Sequence, residues 1–197
     1  MLILTEPEWR REYASAFARV FVNPDPFDAP FTNAMEARAL LYPVAYTLER
    51  NEYDAVAQAA RVVGDSAMCL SIPDIDDHSN HPEYPAHWLL EFRDFAQYEK
   101  LPRVGILENA LYSPTGEWGL LISHEQHMVV GGSAEFVETM VRGFPGAERA
   151  LEEFLDTWAE HKQKRDVDTA WIHTLFVHLY GQEVGSDLYS SRFPEGT

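Results

Sequence analysis

Between Pro73 and Glu83 the chain reads Pro-Asp-Ile-Asp-Asp-His-Ser-Asn-His-Pro-Glu, crowding carboxylates and imidazoles into one short segment. Side chains of these two kinds together suit a divalent transition metal such as Zn, Mn or Fe. Asp74, Asp76 and His78 alternate, so an extended backbone puts all three on one side, with His81 at hand as a further ligand. The segment lacks the glycine at the sixth position and the glutamate at the twelfth that a calcium loop requires. Asp, Asn, Ser and Pro are also ordinary turn residues, and a solvated connection accounts for the run without any ion.

A second group of candidates is His124-Glu125-Gln126-His127. In a zinc protease the two histidines sit four apart on a helix with the glutamate beside them. Here they are three apart at a hairpin turn, and on a strand they face opposite ways. Glu125 or His127 could still serve as a base once folding brings it to a metal. His173 and His178 are separated by about 140° around a helix, too far to share one ion unaided. The one cysteine, Cys69, lies in the apolar run Ala67 to Ile72 and reads as a buried, inert thiol.

Gly131-Gly132-Ser133 is the nearest approach to a glycine-rich strand-to-helix turn, whose N–H groups could hold an anion. No lysine follows it and no third glycine is placed for a nucleotide fingerprint, so the glycines read as a strand end and Ser133 as a helix cap. No G-x-S-x-G occurs either, which leaves a serine hydrolase without its turn.

The net charge is -17, and most of it falls between Val62 and Val141, where Arg93, Lys100 and Arg103 are the only basic side chains. Such a field opposes nucleic acid and anionic lipid and favours basic partners. With 46% hydrophobic and 13% aromatic residues, this acidity sits on a real core. The expectation is a soluble cytoplasmic protein, since no window has the roughly 18 apolar residues of a membrane span, the opening MLILTEPEWRRE is too short for a secretory apolar region, and one cysteine builds no disulfide framework.

The elements that must position these residues imply one α+β domain over residues 1–197. The first 65 residues read as helical. Thr5 and Glu8 have capping-box spacing, and Trp9, Tyr13, Phe17 and Phe21 form a stripe at four-residue intervals. A second helix is expected from Thr32 or Asn33 to about Arg50, interrupted by Pro43, and a third from Glu52 to Val63, stopped by Gly64. Residues 66–132 read as an antiparallel or mixed sheet: strands from Ala67 to Ile72 and from His87 to Phe92, then a three-stranded meander near 106–130. Residues 133–181 read as helices covering one face, and 182–197 as a mobile tail unless Tyr189 or Phe193 docks it.

No catalytic signature accompanies the acidity. The leading expectation is a non-catalytic binding protein without cofactor, of inhibitor or immunity type, that engages a basic protein partner through Asp74, Asp76, Asp77, Glu83 and Glu117. The alternative is metal-assisted hydrolysis, with Asp74, Asp76, His78 and His81 holding a divalent transition metal.

Overall fold

The computed structural model describes residues 1–73, 86–93, 95–101 and 108–194. In chain order its elements are β1 (Leu2–Leu4), α1 (Glu6–Glu12), α2 (Ala14–Val20), β2 (Ala37–Leu41), α3 (Arg50–Val62), β3 (Ala67–Ser71), β4 (His87–Glu91), α4 (Phe95–Glu99), β5 (Asn109–Tyr112), β6 (Trp118–Ile122), β7 (Met128–Gly132), α5 (Ala134–Gly143), α6 (Ala147–Arg165), α7 (Ala170–Tyr180) and α8 (Gln182–Arg192). The strands form one sheet in the order β1-β4-β3-β5-β6-β7-β2, and every neighbouring pair is antiparallel.

Successive residues of a strand face opposite sides, and here both sides are covered. Met68, Leu70, Leu111, Trp118, Leu120, Ile122 and Val130 face α3 and α5, where the Trp118 ring stacks on Phe136 at 4.8 Å between centroids. Cys69, Ala110, Tyr112, Leu121 and Val129 face α2, α6 and α7. Strands β6 and β7 are consequently apolar without alternation, WGLLI and MVVGG, as strands buried on both faces must be. Gly119 is required where α2 crosses β6, because a Cβ there would lie 2.4 Å from Val20 Cγ1 and 2.8 Å from Phe21 Cζ.

The coarse expectation of an α+β chain with an antiparallel sheet holds, and its layout needs three corrections. The N-terminal third is not all helical. Leu2–Leu4 is an edge strand, and the segment expected as the second helix supplies the opposite edge, β2. Pro43 disfavours helix at the residue before it, and pairing with β7 outweighs the helix propensity of Ala37 to Leu41.

The C-terminal helices cover both faces rather than one. Helix α5 packs beside α3, and the chain then passes around the β2 edge, which α5, α6 and α7 all touch, to place α6 and α7 on the other face. Finally, the segment after Gly181 is a helix: α8 follows at once and lies against α7, with Phe193, one of the two residues that could dock it, buried. Within the N-terminal stripe, Tyr13 at φ −126 separates α1 from α2, although Phe17 still meets both Trp9 and Phe21.

Candidate functional site

The antiparallel register decides which charged side chains meet. Ser71, the last residue of β3, pairs with His87, the first of β4, and Leu4 at the end of β1 lies opposite the same His87. Asn109 opens β5 opposite Ile122 at the close of β6, and Met128 opens β7. One end of the sheet therefore carries the start of α1 with Glu6, the roots of the connection between β3 and β4, Glu108 just before β5, and the turn His124-Glu125-Gln126-His127. The turn holding Glu117 joins β5 to β6 at the other end.

At the first of these ends a chain of hydrogen bonds runs through the core. Glu6 sits in the first turn of α1, and its Oε2 accepts from His87 Nε2–H at 3.0 Å. That bond leaves His87 Nδ1 bare, and it accepts from Ser71 Oγ–H at 2.8 Å. Ser71 Oγ accepts in turn from Tyr112 O–H at 3.3 Å, and the Tyr112 oxygen accepts from Trp9 Nε1–H at 2.7 Å. The loop closes because the Trp9 ring stacks on His87 at 4.2 Å and 5°.

Burial lowers the His87 pKa and outweighs the pull of Glu6 toward protonation, so the ring is neutral at pH 7 and in one tautomer. Partial burial pushes the Glu6 carboxyl upward, but hydrogen bonds from Arg10 and His87 outweigh it and hold the pKa below its ordinary value. Acid, imidazole and hydroxyl stand in the order of a nucleophilic triad. Ser71 is nevertheless 1% exposed, at the end of a paired strand, and its oxygen is engaged by Tyr112, so no substrate can reach it. The network clamps α1 to the sheet and fixes an ionised Glu6 at its end.

The second group at this end lies around the β6–β7 turn. His124 Nδ1–H donates to the buried Glu108 carboxylate, and His124 Nε2 lies 3.7 Å from Glu125. His127 is fully buried: its Nε2–H donates to the Pro26 carbonyl at 3.0 Å, and Phe27, Phe154 and Trp171 surround the ring. Desolvation drives its pKa down to about 4, against the pull of the Pro26 carbonyl. A ring so enclosed has no surface to offer a substrate, which removes His127 as a general base.

Of the residues singled out by their sequence, Asp74, Asp76, Asp77, His78, His81 and Glu83 lie outside the described residues. Glu117 is described, exposed and ion-paired with Arg19 of α2 at 3.0 Å. Cys69 is buried, and burial pushes its thiol up to about 12. Ser133 caps α5, its Oγ accepting from the Phe136 N–H at 3.2 Å. His173 and His178 go separate ways, the first to Ser186 at 3.1 Å and the second to the Phe31 N–H at 3.1 Å. Among the described residues no three His, Cys, Asp or Glu side chains are grouped to hold a metal, and no helix is long and apolar enough to cross a membrane.

Glu6, His87, Ser71 and Tyr112 escape a reading of the sequence. The one available signal is that Ser71 and His87 are polar positions closing two otherwise apolar strands.

The architecture defines an α+β chain with a seven-stranded antiparallel sheet covered on both faces. It matches no family model, no curated protein and no solved structure.

Proposed function

We propose that the protein is a non-catalytic binding protein of inhibitor or immunity type, acting in the cytoplasm, whose acidic sheet end engages a basic protein partner. The observation that carries this reading is the gathering of Glu6 and Glu125 at the sheet end where the segment bearing Asp74, Asp76, Asp77 and Glu83 is rooted, in a chain of net charge -17. Glu6 is ion-paired with Arg10, and Glu125 lies 3.7 Å from His124.

Two further features support it. Glu6 is held rigidly, through His87 and Ser71, so its charge is presented without an ordering cost on binding. The imidazoles at this end are engaged in structural bonds: His87 with Glu6 and Ser71, His124 with Glu108, His127 with Pro26. A surface of one sign steers an oppositely charged partner, raising association rates by roughly 10 to 10³, and the same sign repels nucleic acid. Glu117, expected from the sequence to share in this surface, lies at the other end of the sheet beside Arg19, so it is left out of the proposed surface and serves as a control position.

The test is affinity capture from the source cytosol with the wild-type chain, with Asp74→Lys/Asp76→Lys/Asp77→Lys, and with a charge-matched control, Glu148→Lys/Glu152→Lys/Glu117→Lys. A basic protein retained by the wild type and the control but lost by the first variant supports the reading, and its association rate must fall as salt rises. Equal capture by all three chains defeats it. Stoichiometric zinc uptake abolished by His78→Ala supports metal-assisted hydrolysis instead.

A further inference from the structure

Away from the acidic end, an open cleft of about 520 Å³ lies between the chain entering β2 and the C-terminal half of α7. Its polar lining is Arg38, His178, Thr174 and the carboxylate of Glu36. Among the described residues Arg38 has no carboxylate within ion-pair distance, as is also true of Arg61, Arg142 and Arg165, but Arg38 alone of these lines the cleft and keeps a buried Nε–H without a partner. Its Nη1–H donates to the His178 carbonyl at 2.7 Å and its Nη2–H to the Thr32 carbonyl at 3.1 Å. These bonds fix the plane of the guanidinium and tie down the end of α7, but they use two of five N–H groups. The Nε–H is buried without a partner. Burial lowers the Arg38 pKa.

The neighbouring groups point the same way. His178 Nε2 accepts from the Phe31 N–H, which places the ring proton on Nδ1 as a donor, and burial holds the ring neutral with a pKa of about 4. Thr174, one turn earlier on α7, adds a hydroxyl. Glu36 also borders the cleft, yet its Oε2 accepts from the Ala134 N–H at 3.4 Å, at the start of α5. Met35, Val177 and Leu179 supply apolar wall.

We propose that this cleft binds a small aliphatic carboxylate. Arg38 takes its charge, His178 Nδ1–H and Thr174 O–H complete its hydrogen bonds, and Met35, Val177 and Leu179 cover its hydrocarbon. The site is independent of the partner reading, since β2 begins at the sheet end opposite Glu6 and Glu108.

The experiment is an NMR titration of the whole chain with butyrate at constant ionic strength, with inorganic phosphate and n-butylamine as parallel arms. Butyrate is expected to saturate in the millimolar range and to shift the Phe31 amide and the His178 ring, with phosphate weaker and butylamine without effect. Arg38→Met is expected to abolish the response. Because Arg38 also ties α7, Thr174→Val, at an exposed position, gives the second reading: binding weakened several-fold in a chain whose melting temperature is unchanged. Non-saturating shifts, shifts that survive Arg38→Met, or phosphate binding as tight as butyrate each overturn the assignment.

Discussion

His127 makes this protein acid-sensitive in a way that can be isolated. Its pKa is about 4 in the folded chain, against 6.5 for an unperturbed ring. The unfolded chain therefore takes up a proton first as the pH falls. Stability is intact above about pH 6.5 and declines until the folded-state pKa is reached. Linkage gives a loss of about 2 kcal/mol between pH 7 and pH 5 from this one group.

An opposing effect is present, because the Trp171 face lies 5.5 Å from the His127 ring at 22° and attracts an imidazolium. Such a contact is worth about 1 kcal/mol. Because the folded ring stays neutral over most of this range, the contact trims the loss by only a few tenths, leaving about 1.5–2 kcal/mol. The assay is urea unfolding at pH 7 and pH 5 on the wild type and on His127→Gln, whose amide can still donate to the Pro26 carbonyl. His87, His178 and every carboxylate titrate in both chains, so the difference between the two pH effects belongs to His127. Parallel losses in the two chains refute the reasoning, as does an NMR titration of the His127 ring with a midpoint near 6.5.

Three further outcomes follow from the packing. Gly119→Ala drives a methyl into Val20 and Phe21, both fully or nearly fully buried, and is expected to lower stability by about 1–3 kcal/mol with the urea m-value unchanged. Ser71→Ala leaves the buried His87 Nδ1 without its donor and is expected to cost about 1–3 kcal/mol in the same measurement. Cys69, fully buried and with its thiol pushed up to about 12, is expected to resist a thiol-reactive disulfide at neutral pH and to react stoichiometrically once urea is added.

The elements legible in the sequence are those whose local signals agree with their tertiary role. Gly131 and Gly132 close β7, Ser133 caps α5, and the charge order along α6, acidic early and basic late, marks a helix that is one. Where local and tertiary preferences part, sequence reading fails. Asn33 and Glu36 have capping-box spacing and Ala37 to Leu41 are good helix formers, yet a strand is what the open edge of β7 requires, and only Pro43 hints at it. Helix α8 is hidden because its polar composition carries little periodicity and Gly181 reads as a stop. Its docking depends on Gly185, where a Cβ would come within 2.5 Å of the Phe176 backbone.

The site is harder still. Glu6 and His87 are 81 residues apart in sequence. Ser71 meets His87 only through a register that no alternation pattern specifies, since both strands are covered on two faces. Arg38 could be seen as a charge, but not as one with no carboxylate in ion-pair distance among the described residues.

The central proposal, that the sheet end with Glu6 and Glu125, where the chain enters and leaves the 74–83 segment, engages a basic protein, is tested most directly by capture with Asp74→Lys/Asp76→Lys/Asp77→Lys against the charge-matched control Glu148→Lys/Glu152→Lys/Glu117→Lys. Loss of a basic protein from the first chain alone, with wild-type binding that weakens as salt rises, is the predicted result. Identical capture by both variants and the wild type contradicts the account.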